Sequence, residues 1–192
     1  RLTLNLFTTI ENLLIPYQLK LFGYSSSDAL SIYGILTGMA FAIIMFPTVL
    51  TNSISVLLLP VVSEAQAKHN DRLIREAIIK TTESCLLLGL LCTIGLLVLG
   101  DFIGNFIFKN ALSATFIVTM SWICPFLYLG STLNSIFHGL GKPGITLFLN
   151  LFSCLIRILF IIFLIPVIGI KGYLTGLLIS QIALCVLALL WL

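Results

Sequence analysis

Apolar residues fall into six long runs, broken by short stretches rich in polar residues, Gly and Pro. The runs are roughly Leu2 to Phe22, Ala29 to Leu59, Ile78 to Leu99, Thr115 to Phe137, Ile145 to Pro166 and Tyr173 to Leu192. Crossing about 30 Å of hydrocarbon takes about 20 residues at helical rise, and each run is at least near that length. In lipid the backbone must satisfy its own hydrogen bonds, which leaves helices or closed barrels. The runs are too long and too continuous for alternating barrel strands, so all six are predicted to be membrane-crossing helices. The breaks between them are short, which makes neighbouring helices antiparallel and leaves no room for a soluble domain. The expected fold is all-α, a single polytopic bundle of about six transmembrane helices over residues 1–192.

One connection has a pattern of its own. In residues 61–77 and just beyond, Glu64/Lys68, Asp71/Arg75 and Glu76/Lys80 each place an acid four residues before a base, the favourable order on a helix. Leu73, Ile74, Ala77, Ile78 and Thr81 lie between these charges. The pattern reads as an amphipathic connector at the membrane surface turning into the third span; a plain solvated linker is the alternative.

Polar residues inside the runs carry more information. In the first run Asn5, Thr8, Thr9 and Asn12 share an arc of about 100°, with Glu11 at its margin. Thr48, Thr51, Asn52 and Ser55 do the same in the second, and Thr146, Asn150, Ser153 and Arg157 in the fifth. Ser and Thr can bond back to their own helix or tie helices together. Glu11 and Arg157 are harder to accommodate, since Arg at a bilayer centre costs about 2.5 to 3.5 kcal/mol on the lenient scale. Counted from the same side, the two lie at similar depth, which permits an ion pair, either functional or a static packing device. Pro16 and Pro47 interrupt the first two spans, offering hinges and freed carbonyls. The pairs Gly34/Gly38 and Gly172/Gly176 allow close helix contact.

Composition agrees with a membrane setting: 59% of residues are hydrophobic, 9% are charged, and the mean hydropathy is +1.18. A chain of 192 residues cannot cover a water-facing surface with so few charges, so a water-soluble globule is excluded. The net charge of +3 comes without the dense Lys/Arg face that phosphate backbones require, so no nucleic-acid partner is expected. With six crossings, Arg1, Lys68, Arg72, Arg75, Lys80 and Lys142 share one side and Lys20, Lys109 and Lys171 the other. The bias places residue 1 and the 61–77 connector in the cytoplasm of a multi-pass cell-membrane protein.

Other signals point away from chemistry. Cys85, Cys92, Cys124, Cys154 and Cys185 lie in apolar runs without C-x-x-C spacing and read as small buried hydrophobes. His69 and His138 stand alone in breaks, so no metal site is expected. The G-L-G-K-P-G string at Gly139 to Gly144 follows no strand and reads as a tight turn, not a dinucleotide fingerprint. No catalytic constellation and no cofactor are expected. The chain starts on Arg and stops within an apolar run, as a piece of a longer membrane protein would.

Several strings carry a resemblance: E-N-L-L-I-P (Glu11 to Pro16), L-S-I-Y-G-I-L-T-G-M-A (Leu30 to Ala40), F-P-T-V-L-T-N-S-I-S-V-L-L-L-P-V-V-S-E-A (Phe46 to Ala65), C-P-F-L-Y-L (Cys124 to Leu129), G-L-G-K (Gly139 to Lys142), and R-I-L-F followed by L-I-P-V-I-G-I-K-G-Y. Together they resemble the stage V sporulation protein B family. It lies in the polysaccharide-transporter branch of the MATE-like flippase superfamily, which also includes relatives of the lipid II flippase MurJ. The resemblance implies two six-helix lobes around a central cavity, of which this chain is one, the second by its orientation. It also implies alternating access for a lipid-linked cell-wall precursor, with a role in spore cortex or cell-wall synthesis. Partners implied are a lipid-linked oligosaccharide substrate, membrane lipid and the missing other lobe. Glu11, Asn12, Asn52 and Ser53 are then expected along the cavity, joined by Asn150 and Arg157 from the polar stripes. A cation-coupled multidrug antiporter on the same scaffold, with Glu11 as its ion site, and a scaffold recruiting cell-wall enzymes through the basic connector are the alternatives.

Overall fold

The computed structural model describes the backbone of residues 2–192 and the side chains of all of these except residues 2, 3 and 71. Arg1, counted above for orientation, lies outside the described residues. The described chain is helical nearly throughout. We number its helices α1 (Leu2–Phe22), α2 (Ser26–Met45), α3 (Thr48–Ala67), α4 (Asp71–Phe102), α5 (Ala111–Gly139), α6 (Pro143–Ile168) and α7 (Ile170–Trp191).

Six segments are long and apolar enough to cross a membrane, and they are not the six runs of the sequence. Glu11, Asn5, Asn12 and the threonines lower the hydropathy of α1, which is absent from this set although it is a helix of 21 residues. The second run divides instead into α2 and α3. Pro47 lacks the N–H that would hold the Ile43 carbonyl, and Phe46 donates to Ile43 at 3.3 Å instead. Phe46 and Pro47 keep right-handed helical dihedrals, so the chain bends there without reversing. Residues 26–67 form one bent rod of about 60 Å, roughly twice the hydrocarbon thickness. Together with α1 the chain therefore makes six rods.

A further irregularity lies in α2, where Leu36–Ala40 adopts a wider π-type turn around Gly38. Gly34 and Gly38 both face open space, so this pair makes no close helix contact. Gly172 and Gly176 do. A Cβ on Gly172 would lie 2.7 Å from the Leu164 backbone, and one on Gly176 would lie 2.4 Å from Phe160 Cβ. The α6–α7 hairpin closes on Gly169, whose φ of 67° and ψ of −149° suit glycine alone.

Residues 61–77 form no element of their own. Residues 61–67 are the last turns of α3 and residues 71–77 the first of α4, joined by a reversal in which His69 is left-handed at φ 51°. Asn70 caps α4 by accepting from the Leu73 N–H at 3.2 Å. Both helices simply continue to the turn. Lys68 meets Glu64 at 2.6 Å, while Glu76 pairs with Arg72 at 3.2 Å in place of Lys80. The Asp71/Arg75 pair involves a side chain outside the described residues.

Packing places α5 at the centre, against α3, α4 and α7, with α6 between α7 and α1. One apolar cluster, around Leu36, Ile44, Ile117, Met120 and Tyr128, fills the end near the α1–α2 turn; a second, around Val62, Leu133, Ile136, Phe137 and Leu149, fills the other end. Tyr128 donates to the Ile44 carbonyl at 2.9 Å, tying the bent rod to α5. Cys85, Cys124, Cys154 and Cys185 are buried and Cys92 is half-buried, all as free thiols. On the outside, Leu87, Leu90, Leu91, Ile94 and Val98 form an exposed apolar row on α4, a surface that only lipid or another protein segment can solvate at low cost.

Candidate functional site: a buried ion pair and two polar rows

Glu11 sits halfway along α1 and Arg157 fourteen residues from the start of α6. Because α1 packs along α6, their side chains meet. Glu11 Oε1 and Arg157 Nε are 3.3 Å apart, with the Glu side chain 5% and the Arg side chain 18% exposed. Arg157 also donates through Nη2 to Cys154 Sγ at 3.1 Å. Neither Glu11 Oε1 nor Arg157 Nε has hydrogen-bond geometry to a partner among the described residues. The contact is thus a charge attraction without hydrogen-bond geometry.

The other residues expected at the site are placed as follows. Asn12 is exposed on α1 and accepts from the Tyr33 hydroxyl of α2 at 2.8 Å. Pro16, which α1 accommodates without a break, has no N–H to offer the Asn12 carbonyl. Asn5, Thr8 and Thr9 are exposed on the same helix, both threonine hydroxyls donating to the Asn5 carbonyl at 2.9 and 2.8 Å. Asn150 is half-buried two turns before Arg157, on the same face of α6. Its amide donates to the Thr146 carbonyl at 2.7 Å and to Asn134 Oδ1 of α5 at 3.3 Å. Ser153, another member of that stripe, donates to the Ser180 carbonyl of α7 at 3.3 Å, so it serves helix packing, and Thr146 is buried.

The α3 stripe divides. Thr51 and Ser55 turn into the bundle, whereas Asn52 and Ser53 are exposed beside Val49, Val56 and Leu57. Ser53 donates to the Val49 carbonyl at 2.9 Å. No hydrogen bond or ion pair among the described residues joins Asn52 or Ser53 to the Glu11–Arg157 pair.

A second polar row escaped the reading of the sequence. Ser131, Asn134, Ser135 and His138 lie at i, i+3, i+4 and i+7 on α5, all partly or fully exposed. Ser135 and His138 share a cleft with Ser55, Val56 and Leu59 of α3, and the Ser55 hydroxyl has no partner. The signal was present as helical spacing, but His138 reads as a loop residue when the span is closed at Phe137. In fact α5 continues through Gly139. Tyr33 was missed because nothing in the α2 sequence marks which of its residues reaches α1.

The surface so formed offers neutral donors and acceptors along α1 and α5, with Asn150 between them and one ion pair at mid-depth. Such a surface can bind by hydrogen bonding and charge.

Comparison with known proteins adds relatives. The family described as Lipid II flippase MurJ matches residues 33–192. Stage V sporulation protein B of Bacillus subtilis (strain 168) is 25% identical over 170 residues, covering 88% of this chain and 33% of that protein. The chain thus spans about a third of the length of this curated relative. A multidrug resistance MATE family transporter of the MOP superfamily, solved in an outward-facing conformation, matches with a TM-score of 0.82 at 14% identity, over 98% of this chain and 42% of that one. A MOP superfamily transporter from Pyrococcus furiosus, described as having a binding pocket of reverse polarity, matches with a TM-score of 0.77 at 14% identity, over 96% of this chain and 41% of that one. At these identities the structures establish the fold, an all-helical lobe of the MATE type.

Proposed function

This chain belongs to the MurJ lipid II flippase family, a multi-pass membrane protein, and from that membership we propose that it forms the second lobe of a two-lobe flippase for lipid-linked cell-wall precursors. The observation that carries the proposal is the mid-span pair of Glu11 and Arg157, two opposite charges buried together inside the bundle. Charges inside a membrane are costly and by default mark a functional site.

In this reading Glu11, Asn12, Asn150 and Arg157 line the path, with the row from Ser131 to His138 opposite, and Asn52 and Ser53 face the other lobe. Hydroxyl and amide groups suit the hydroxyls of a sugar, and a guanidinium suits a phosphate or pyrophosphate. No bond in the cargo is made or broken; one lobe rocks on the other and exposes the polar rows alternately to each side. The basic residues Lys68, Arg72, Arg75, Lys80 and Lys142 gather at the end carrying the α3–α4 and α5–α6 turns. We assign that end, and with it the start of α1, to the cytoplasm. The relationship to stage V sporulation protein B favours a role in spore cortex or cell-wall synthesis. The multidrug-antiporter reading is disfavoured because the Glu11 carboxylate already faces a fixed cation.

The test is translocation of a fluorescent lipid-linked disaccharide pyrophosphate by the full-length protein in proteoliposomes. Arg157→Ala and Arg157→Glu should abolish movement, with Arg157→Lys retaining part of it. Wild-type rates in the alanine variant would remove Arg157 from the path. Efflux of a cationic dye in place of lipid movement would transfer the protein to the antiporter class.

A further inference from the structure

A cleft of about 520 Å³ opens between α2, α5 and α7 at the end of the bundle where α1 meets α2 and α6 meets α7. Neither member of the polar pair lines it, and its lining differs in kind. The walls are Ile32 of α2, Phe116 and Ile123 of α5, and Leu174 and Leu178 of α7. Three threonines also line it, yet their hydroxyl protons are already used: Thr115 donates to the Ala111 carbonyl, Thr119 to that of Thr115 and Thr175 to that of Gly172, at 3.1, 2.7 and 3.0 Å. Inside, the cleft therefore presents mainly apolar surface, with threonine oxygens that can accept but have no proton left to donate. Its volume is in the range of small-molecule sites, about 300 to 1,000 Å³.

Two features define its occupant. Along α5 it runs from Leu112 to Ile123, about 16 Å at helical rise, or half of the ~30 Å hydrocarbon layer. That is the depth of one leaflet. At its rim stand Tyr24 and the exposed Lys171, an aromatic and a cation at helix ends, as found where a membrane meets water. Lys171 makes no ion pair among the described residues.

We propose that this cleft holds one acyl chain of an anionic phospholipid, with the lipid phosphate against Lys171. The apolar length takes the chain, the threonines have no hydroxyl proton left to donate to a polar ligand, and the lysine selects the charge of the head group. Exposed Trp122, 59% accessible at the inner end, flanks the tail.

The experiment uses the full-length protein in nanodiscs of mixed phosphatidylglycerol and phosphatidylcholine. One of the two lipids carries a diazirine midway along an acyl chain, and labelled peptides are read by mass spectrometry. The phosphatidylglycerol probe should mark residues 112–123 and 174–178 about five-fold more than the phosphatidylcholine probe, equivalent to the ~1 kcal/mol of one Lys near an anionic surface. Lys171→Glu should erase that preference, whereas Lys109→Glu, at the same end but outside the cleft, should leave it. Thr119→Trp, from an exposed position, should fill the cleft and suppress labelling by both probes; Thr175→Trp serves if that variant does not fold. Equal labelling by the two probes in the wild type, or no effect of Lys171→Glu, overturns the assignment. So does labelling no denser than on the exposed α4 row, or a cleft left unlabelled because a protein segment fills it.

Discussion

Replacing Arg157 by Met keeps much of the side-chain length and removes the charge, leaving the Glu11 carboxyl, 5% exposed, without its counter-ion. The converse change, Glu11→Gln, strands the guanidinium. At 3.3 Å and an effective dielectric of about 20, the attraction between unit charges is about 5 kcal/mol. Breaking a buried pair on one side typically costs about 3 to 5 kcal/mol, while removing both partners together costs far less. The double variant Glu11→Gln/Arg157→Met should therefore be more stable than the sum of the single losses implies, with a coupling energy of about 2 to 4 kcal/mol. An ordinary interhelical polar contact in a membrane averages only about 0.6 kcal/mol, so the measurement separates the two cases. The assay is reversible unfolding of the full-length protein in mixed micelles, run on wild type, both single variants and the double. Additivity within about 0.5 kcal/mol would refute the view that these residues act as a pair. A charge swap, Glu11→Arg/Arg157→Glu, adds a functional reading. If the pair only fixes α1 against α6, the swap restores both stability and translocation; if Arg157 meets the cargo, stability returns without movement.

Other outcomes follow from the packing. Gly176→Leu puts a side chain where even a Cβ lies 2.4 Å from Phe160 Cβ, and should lower the melting temperature of the full-length protein well below that of Thr175→Leu beside it. Gly89→Ala brings a methyl to 2.4 Å from the Pro125 Cα; because backbone cannot move aside, a loss of about 1 to 3 kcal/mol is expected in the same unfolding assay. Tyr128→Phe deprives the Ile44 carbonyl of a buried donor and should cost about 1 to 3 kcal/mol, a loss that a normal melting profile would contradict. A water-soluble maleimide should leave Cys85, Cys124, Cys154 and Cys185 unmodified in the folded protein, since all four are buried; rapid labelling of any of them would show that the bundle opens there.

What could be read from the chain depended on how far each feature is local. The helices and the interruption at Pro47 follow from hydrophobic run length and the missing proline N–H, both properties of a few neighbouring residues, whereas the ends at Ala67 and Asp71 lie well beyond the apolar runs. That Glu11 and Arg157 lie at a depth where they could meet was legible, because depth in a bilayer can be counted from one side in 1.5 Å steps; that they do meet depends on α1 packing along α6. The fate of Gly34/Gly38 was not, since the same spacing serves contact in Gly172/Gly176 and open space in α2; only the partner helix decides. Asn52 shows the same limit. It shares an arc with Thr51 and Ser55 in sequence, yet in the packed bundle those two are buried and Asn52 is exposed. The partial exposure of the Ser131 to His138 row likewise depends on α3 and α6 flanking it, which no single span records.

The long rod of residues 26–67 has a mechanical corollary. Beyond Pro47, α3 extends 20 residues, about 30 Å, to the turn that carries Lys68. An opening of some 10° at the bend sweeps that turn sideways by about 5 Å, a lever arm that converts small backbone adjustments near the bilayer middle into a visible displacement at the aqueous tip. Because Tyr128 grips the carbonyl just ahead of the fulcrum, α5 feels the same torque.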